Sequence, residues 1–169
     1  HAIDALQYSV TEGYAPLRKT LKEYMSSKYD SVKDFDELIV TTGAQQVMEL
    51  TTKALCNEGD TILCEAPSFI GSLNAFRSYG VKLRGIPVDS DGINLEELET
   101  ALKEEKKAKF LYVIPNFQNP SGVTMSLQKR KAVYGLAKQY GVMILEDNPY
   151  GEVRFSGEAL PNIKSFDED

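Results

Sequence analysis

Met143-Ile144-Leu145-Glu146-Asp147-Asn148-Pro149-Tyr150 is a short apolar run that ends abruptly in acid and is stopped by a proline and an aromatic. Such a run reads as a buried parallel strand with its carboxyl end opening onto a crevice. In open α/β sheets that crevice is where ligands bind. Asp147 then stands at the strand's mouth, partly out of water, where a carboxylate needs a cationic partner to stay ionised. Tyr150 can return a hydroxyl to the same place. A strand-end Asp serves equally well as turn chemistry, so the rest of the chain has to decide between the two readings.

Working outward, Ser126 can cap a helix carrying Leu127, Val133, Leu136, Ala137 and Tyr140 that leads into this strand. Before it, Phe110-Leu111-Tyr112-Val113-Ile114 is the most strongly β-like run. It ends in Pro115-Asn116-Phe117-Gln118-Asn119-Pro120-Ser121-Gly122, a loop by its turn residues. Asn94 followed by Glu97 resembles a capping pair opening a helix through Leu95, Leu98 and Leu102. Val81 to Pro87 and Thr61 to Cys64 read as strands, with a short helix from Phe69 to Tyr79 between them.

Further upstream, Leu38-Ile39-Val40 reads as another strand, running into Thr41-Thr42-Gly43-Ala44-Gln45-Gln46 and a helix bearing Val47, Leu50, Ala54 and Leu55. A strand, a glycine turn and a helix start make an anion site from free backbone N–H groups and the positive helix end. Pro16 fits a first helical position, with Leu17, Leu21, Tyr24 and Met25 at helical spacing. Alternating strands and helices predict a largely parallel sheet covered on both faces, in one α/β domain. The polar tail Gly157 to Asp169 ends without a terminating element, as in a chain cut from something longer.

Composition narrows the function. The 169 residues suffice for a sizeable core. A net charge of −6 and no run of Lys and Arg argue against a nucleic-acid surface. No apolar stretch approaches a membrane span, and no signal-peptide pattern opens the chain. Cys56 and Cys64 are too few and too unpatterned for a disulfide framework or a zinc site, and read as reduced core residues of a cytosolic protein. The single histidine, His1, is terminal, so a His-based triad or His-rich metal site is excluded, and no metal site is expected.

Parallel strands align their carboxyl ends and so bring Gly43 to Gln45, Asn116 to Gly122 and Asp147 to Tyr150 to one rim, with Phe69 on a fourth loop. A ligand matching that set carries a phosphate, an aromatic face, a hydroxyl and a basic ring nitrogen. Pyridoxal 5′-phosphate has all four. A carboxylate against its ring nitrogen keeps the pyridinium protonated, so that the ring can take up electrons from a substrate carbanion.

Three blocks, Thr42-Gly43-Ala44-Gln45-Gln46, Asn116-Phe117-Gln118-Asn119-Pro120-Ser121-Gly122 and Glu146-Asp147-Asn148-Pro149-Tyr150, resemble the class I/II aminotransferases among the fold-type I pyridoxal-phosphate enzymes. The stretches Tyr8 to Gly13 and Tyr150 to Phe155 are closest to a subgroup with 2-aminoadipate and kynurenine aminotransferases and the aminotransferase-like halves of MocR-type regulators. The resemblance implies a three-layer α/β/α fold with a mainly parallel sheet, and residues 1–169 as an incomplete cofactor-binding large domain. It implies phosphate held by the backbone of Gly43, Ala44 and Gln45, and Phe69 stacked on the ring where many members have Tyr. It places Asn119 and Tyr150 on the ring's 3′-oxygen, and Asp147 on the ring nitrogen. Tyr8 is similar to the tyrosine that reaches the neighbouring subunit's phosphate, implying a homodimer with shared sites. Asp147, Tyr150 and Asn119 are thus the candidate catalytic residues, with amino acid and 2-oxo acid as substrates.

The pattern departs from the family at one point. The lysine that forms the Schiff base lies in a Ser/Thr-rich stretch beyond the Asp147 strand, and nothing here matches it. Lys164, in Pro161-Asn162-Ile163-Lys164-Ser165, comes too early. The arginine that grips the substrate carboxylate belongs to a small domain that is also missing. This chain alone is therefore expected to transfer no amino groups. The family's fold also puts two later strands between strands already present, so this length of chain is expected to expose unpaired sheet edges. Two alternatives share the same domain: the effector-binding part of a MocR-type regulator, and a pyridoxal-phosphate-dependent lyase or decarboxylase.

Overall fold

The computed structural model describes residues 6–168, so His1 lies outside the described part. Helix α1 (Ala15–Tyr29) and helix α2 (Gly43–Leu55) precede strand β1 (Thr61–Ala66). Helix α3 (Ile70–Arg77), strand β2 (Lys82–Asp89), strand β3 (Gly92–Ile93) and helix α4 (Leu95–Glu104) follow. Strand β4 (Ala108–Val113), helix α5 (Leu127–Tyr140), strand β5 (Met143–Glu146) and a 3-10 turn (Ile163–Phe166) complete the order. The sheet runs β3-β2-β1-β4-β5, with β2, β1, β4 and β5 parallel and the short β3 antiparallel. The chain moves outward from β1 to β2 and then crosses back to place β4 on β1's other side. That reversal leaves a crevice beyond the carboxyl ends of β1 and β4.

Register decides which side chains meet. Cys64, Tyr112 and Leu145 lie in one row across β1, β4 and β5, and Leu63, Leu111 and Ile144 in the next. Because successive side chains alternate between faces, Ile62, Cys64, Phe110 and Tyr112 pack with Met48 of α2 and Ala75 and Phe76 of α3. Leu63, Leu111 and Val113 pack on the other face with Leu98 and Leu102 of α4 and Val133 of α5. These are the three layers that the strand–helix alternation predicts. The caps fall where the sequence puts them: the Asn94 side chain accepts from the Glu97 N–H and the Ser126 side chain from the Lys129 N–H. Each such cap stabilises its helix by about 1 kcal/mol.

One expected element fails. Leu38-Ile39-Val40 forms no strand: its one ladder-like bond runs from the Val40 N–H to the Glu12 carbonyl, and Ile39 is largely exposed. Apolar β-branched residues adopt a strand only where a neighbouring strand offers a ladder, and no described strand lies beside this segment. β5 is correspondingly a sheet edge, with Met143 at 53% exposure. Helix α1 forms from Pro16 onward as its spacing predicts but buries no residue at all. Among the described residues no helix is long and apolar enough to cross a membrane, and no acidic, histidine and cysteine cluster could hold a metal. Both cysteines are free, Cys64 buried and Cys56 half-buried.

Candidate functional site

The acid pair ending β5 splits between the two faces of the sheet. Glu146 points toward α5 and accepts from the backbone N–H groups of Ile163 and Lys164 at 2.9 and 3.0 Å. Burial pushes its carboxyl up, opposed by those two N–H groups and by the charge of Arg130. Asp147 continues the ladder for one more bond, from its N–H to the Val113 carbonyl, and turns to the α2/α3 side. There its Oδ2 accepts the Tyr112 hydroxyl at 2.8 Å. Burial raises the Asp147 carboxyl above its ordinary value and the tyrosine bond pulls it back down. No described basic side chain pairs with Asp147. A half-buried carboxylate without a cation, at the mouth of a parallel sheet, fits a ligand that brings its own protonated nitrogen.

The loop after β4 is held rigidly. Gln118, 2% exposed, donates to the Pro67 carbonyl at 2.7 Å and accepts from the backbone N–H and hydroxyl of Ser121. Asn116 donates to the Asn148 side chain at 2.8 Å, and Asn148 reaches Asn162. Arg130, fully buried on α5, donates to the carbonyls of Met125, Pro115 and Pro161 and to Asn116 Oδ1. With its loop so fixed, Asn119 meets the Tyr150 hydroxyl at 3.4 Å. Both line a cleft of about 450 Å³ whose other walls include Pro120, Val153 and Phe155.

The remaining expected site residues are placed as follows. Gly43, Ala44 and Gln45 form the exposed first turn of α2, which no side chain caps. Gly43 has φ +76°, a conformation that costs glycine little. Phe69 opens α3 with its ring 39% exposed, lying over Gly71, where a Cβ would come within 2.7 Å of it. Helix α2 packs against α3, so this turn and Phe69 share with Asp147 the same side of the sheet. Tyr8 stands fully exposed and bonds to none of the others. Lys164 is committed elsewhere, paired to Asp36 at 2.9 Å and to Asp167, with its ammonium over the Phe35 ring.

Sequence reasoning overlooked four residues. Tyr112 carries the one hydroxyl in an apolar run, a signal that becomes meaningful only once register puts it beside Asp147. Its partner Ser72 gives no signal at all. Arg130 reads as an exposed helix charge. Glu65 is 2% exposed and accepts from the Ile114 N–H at 2.9 Å, and burial pushes it up to about 7.

The fold and the rim together define an α/β domain with a crevice at the switch point between β1 and β4, the place where open α/β sheets bind ligands. Residues 3–168 match the aminotransferase class I and II family, and the chain belongs to it. The class I and II aminotransferases are pyridoxal-phosphate-dependent enzymes. The chain is 45% identical to aromatic-amino-acid aminotransferase 1 of Thermococcus litoralis, over all of this chain and 42% of that protein. It is 35% identical, over 97% of its length and 35% of the relative's, to an uncharacterised HTH-type transcriptional regulator, YjiR, of Escherichia coli. The crystal structure of Pyrococcus horikoshii kynurenine aminotransferase, in complex with PMP, matches all of this chain and 43% of that one, with a TM-score of 0.95 and 39% identity. The chain thus spans less than half the length of these relatives.

Proposed function

We propose that this chain is much of the cofactor-binding large domain of a longer aminotransferase that moves an amino group from an amino acid to a 2-oxo acid. The observation that carries the reading is the Asp147 carboxylate: half-buried, tied by Tyr112, without a basic partner among the described residues, and close to the Asn119–Tyr150 pair in the chain's loop cluster. The residues present fit pyridoxal phosphate. The uncapped first turn at Gly43, Ala44 and Gln45 offers N–H donors to a phosphate, and Phe69 offers an aromatic face. Asn119 and Tyr150 offer donors to a ring oxygen. When bound, the cofactor supplies an electron sink for the carbanion left when a substrate's α-proton departs.

The chain's own residues would each contribute one part. Asp147 would hold a proton on the ring nitrogen, and its half-buried setting would strengthen that charge pair. Asn119 and Tyr150 would orient the ring through its oxygen, and Phe69 would cover one face and exclude water from it. Among the described residues no lysine at this rim stands in for the nucleophilic lysine of such a reaction, and Lys164 is engaged with Asp36 and Asp167. A homodimer with shared sites is supported by the exposed surface of Tyr8 and by the lack of any fully buried residue on α1. A cytoplasmic setting is supported by two free cysteines and by the lack of a spanning helix among the described residues.

The test is an absorbance titration of the complete protein with pyridoxal phosphate, followed by single amino acids with 2-oxoglutarate. Cofactor binding with amino-group exchange is the expected result, and the Asp147→Ala variant should still bind phosphate yet lose nearly all turnover. Unchanged turnover in that variant overturns the role given to Asp147. The kinship with YjiR supports a second reading, an effector-binding domain of a regulator. Cofactor binding without exchange by any amino acid is the outcome that favours it.

A further inference from the structure

Tyr112 is a buried phenol in a layer that has no evident need of one. It is 0% exposed, and its ring meets Phe76 edge-on at 5.3 Å within an apolar cluster. Phenylalanine would fill the same space and leave no hydroxyl to satisfy. The hydroxyl instead sits between Ser72, itself 2% exposed, at 2.9 Å, and Asp147 Oδ2 at 2.8 Å.

Donor directions follow by elimination. An ionised carboxylate can only accept, so the phenol's one hydrogen goes to Asp147. The Ser72 hydroxyl must then donate to the phenol oxygen. Ser72, Tyr112 and Asp147 thus form a one-way relay in which each donor polarises the next. The relay occupies one carboxylate oxygen and leaves Oδ1 without a partner among the described residues. Three elements converge on it: α3 carries Ser72, β4 carries Tyr112 and the end of β5 carries Asp147.

We propose that Tyr112, held by Ser72, is a positioning residue that fixes the Asp147 carboxylate in its ionised form and in one orientation, with Oδ1 presented to the ring nitrogen of the bound cofactor. The proposal rests on the aminotransferase reading given above. Donation to Asp147 stabilises its charged form. A proton shared between Asp147 and a ring nitrogen therefore lies on the nitrogen. Without the phenol, a half-buried carboxyl takes the proton back, and the ring loses its pull on electrons.

The experiment uses the complete protein loaded with pyridoxal phosphate labelled with nitrogen-15 at the ring nitrogen, whose chemical shift reports protonation directly. In the wild type the shift should be that of a protonated nitrogen. In Tyr112→Phe it should move toward the unprotonated value. Turnover should fall about ten- to hundredfold, the worth of one charge-assisted bond, while KM and cofactor affinity stay within about threefold. Ser72→Ala should move the shift in the same direction by less, and it carries the test if Tyr112→Phe folds poorly. A protonated wild-type nitrogen whose shift is unmoved in both variants overturns the proposal and leaves the aminotransferase reading standing. An unprotonated wild-type nitrogen, or no cofactor binding, overturns both together.

Discussion

Three carboxyls stand at strand ends, and their surroundings give them different work. Glu146 is neutralised by two backbone N–H groups and the field of Arg130, and anchors the tail of the chain. Asp147 keeps one oxygen free at the rim. Glu65 has one backbone donor, a Gln118 contact and no cation, and burial pushes it from the ordinary 4.5 up to about 7. In that window the folded protein holds a proton that the unfolded chain has lost, so stability falls as pH rises from about 4.5 to about 7 and is level beyond. The full span corresponds to roughly 3 kcal/mol. Glu65→Gln keeps an oxygen for the Ile114 N–H and removes the titration. Denaturant titrations of the complete protein should therefore show the variant more stable than wild type at pH 8 by about 2–3 kcal/mol, with near equality at pH 4.5. A gap independent of pH would exclude this role for Glu65.

At the scale of elements, the site is a matter of loops held by buried donors. Arg130 binds four oxygens from three segments and makes no ion pair among the described residues. Burial pulls its guanidinium below the ordinary value, with Glu146 opposing. Arg130→Met would leave the Met125 and Pro161 carbonyls without their donor, and Pro115 with the Met125 N–H alone. The expected loss is on the order of 3–5 kcal/mol, read as a fall in denaturation midpoint. A change under about 1 kcal/mol, the size expected of an exposed charge, would refute the staple. The start of α3 gives a milder case. Gly71 leaves room for the Phe69 ring, so Gly71→Ala should push the ring off the helix start. Cofactor affinity in the complete protein should weaken several-fold while the thermal midpoint barely moves, and unaltered affinity would remove Phe69 from the site.

For the whole molecule, the sheet is well protected at its centre and open at one side. β1 lies between β2 and β4, whereas among the described residues β5 has a partner only in β4. Met143, Ile39 and Val40 leave apolar surface uncovered, and a cleft of about 470 Å³ flanks the β5 edge. Helix α1 joins the rest through a few polar contacts: Tyr24 and Lys28 on Glu152 and Arg18 on Glu37 at the surface, and Arg18 and Lys22 on the Leu38 and Asp36 carbonyls. Hydrogen exchange on residues 1–169 alone should show strong protection in β1 and β4 and weak protection in β5 and α1. The same chain should self-associate with rising concentration through its open edge, as read by light scattering. Equal protection in β1 and β5 would contradict the open-edge picture.

How much of this was legible beforehand depended on the range of the physics involved. Alternating apolar runs, the caps at Asn94 and Ser126, and the turn chemistry of Asn116 to Gly122 are local, and they sufficed for the α/β class, for most of the elements and for placing Asp147, Asn119 and Tyr150 at strand ends. The blocks around those residues also carried the resemblance to the aminotransferases. Leu38-Ile39-Val40 misled because strand propensity is realised only against a neighbouring strand, which no local pattern supplies. Tyr112, Ser72, Glu65 and Arg130 were invisible because their roles are set by register and burial. Cys64, Tyr112 and Leu145 share a row only once β1, β4 and β5 pair as they do, and that pairing turns Asp147 toward the Tyr112 hydroxyl and Glu146 away from it. Sequence alone determined which residues stand at the strand mouths. The tertiary structure decided which of them face one another, because side-chain direction in a sheet alternates and only the register chooses the partner.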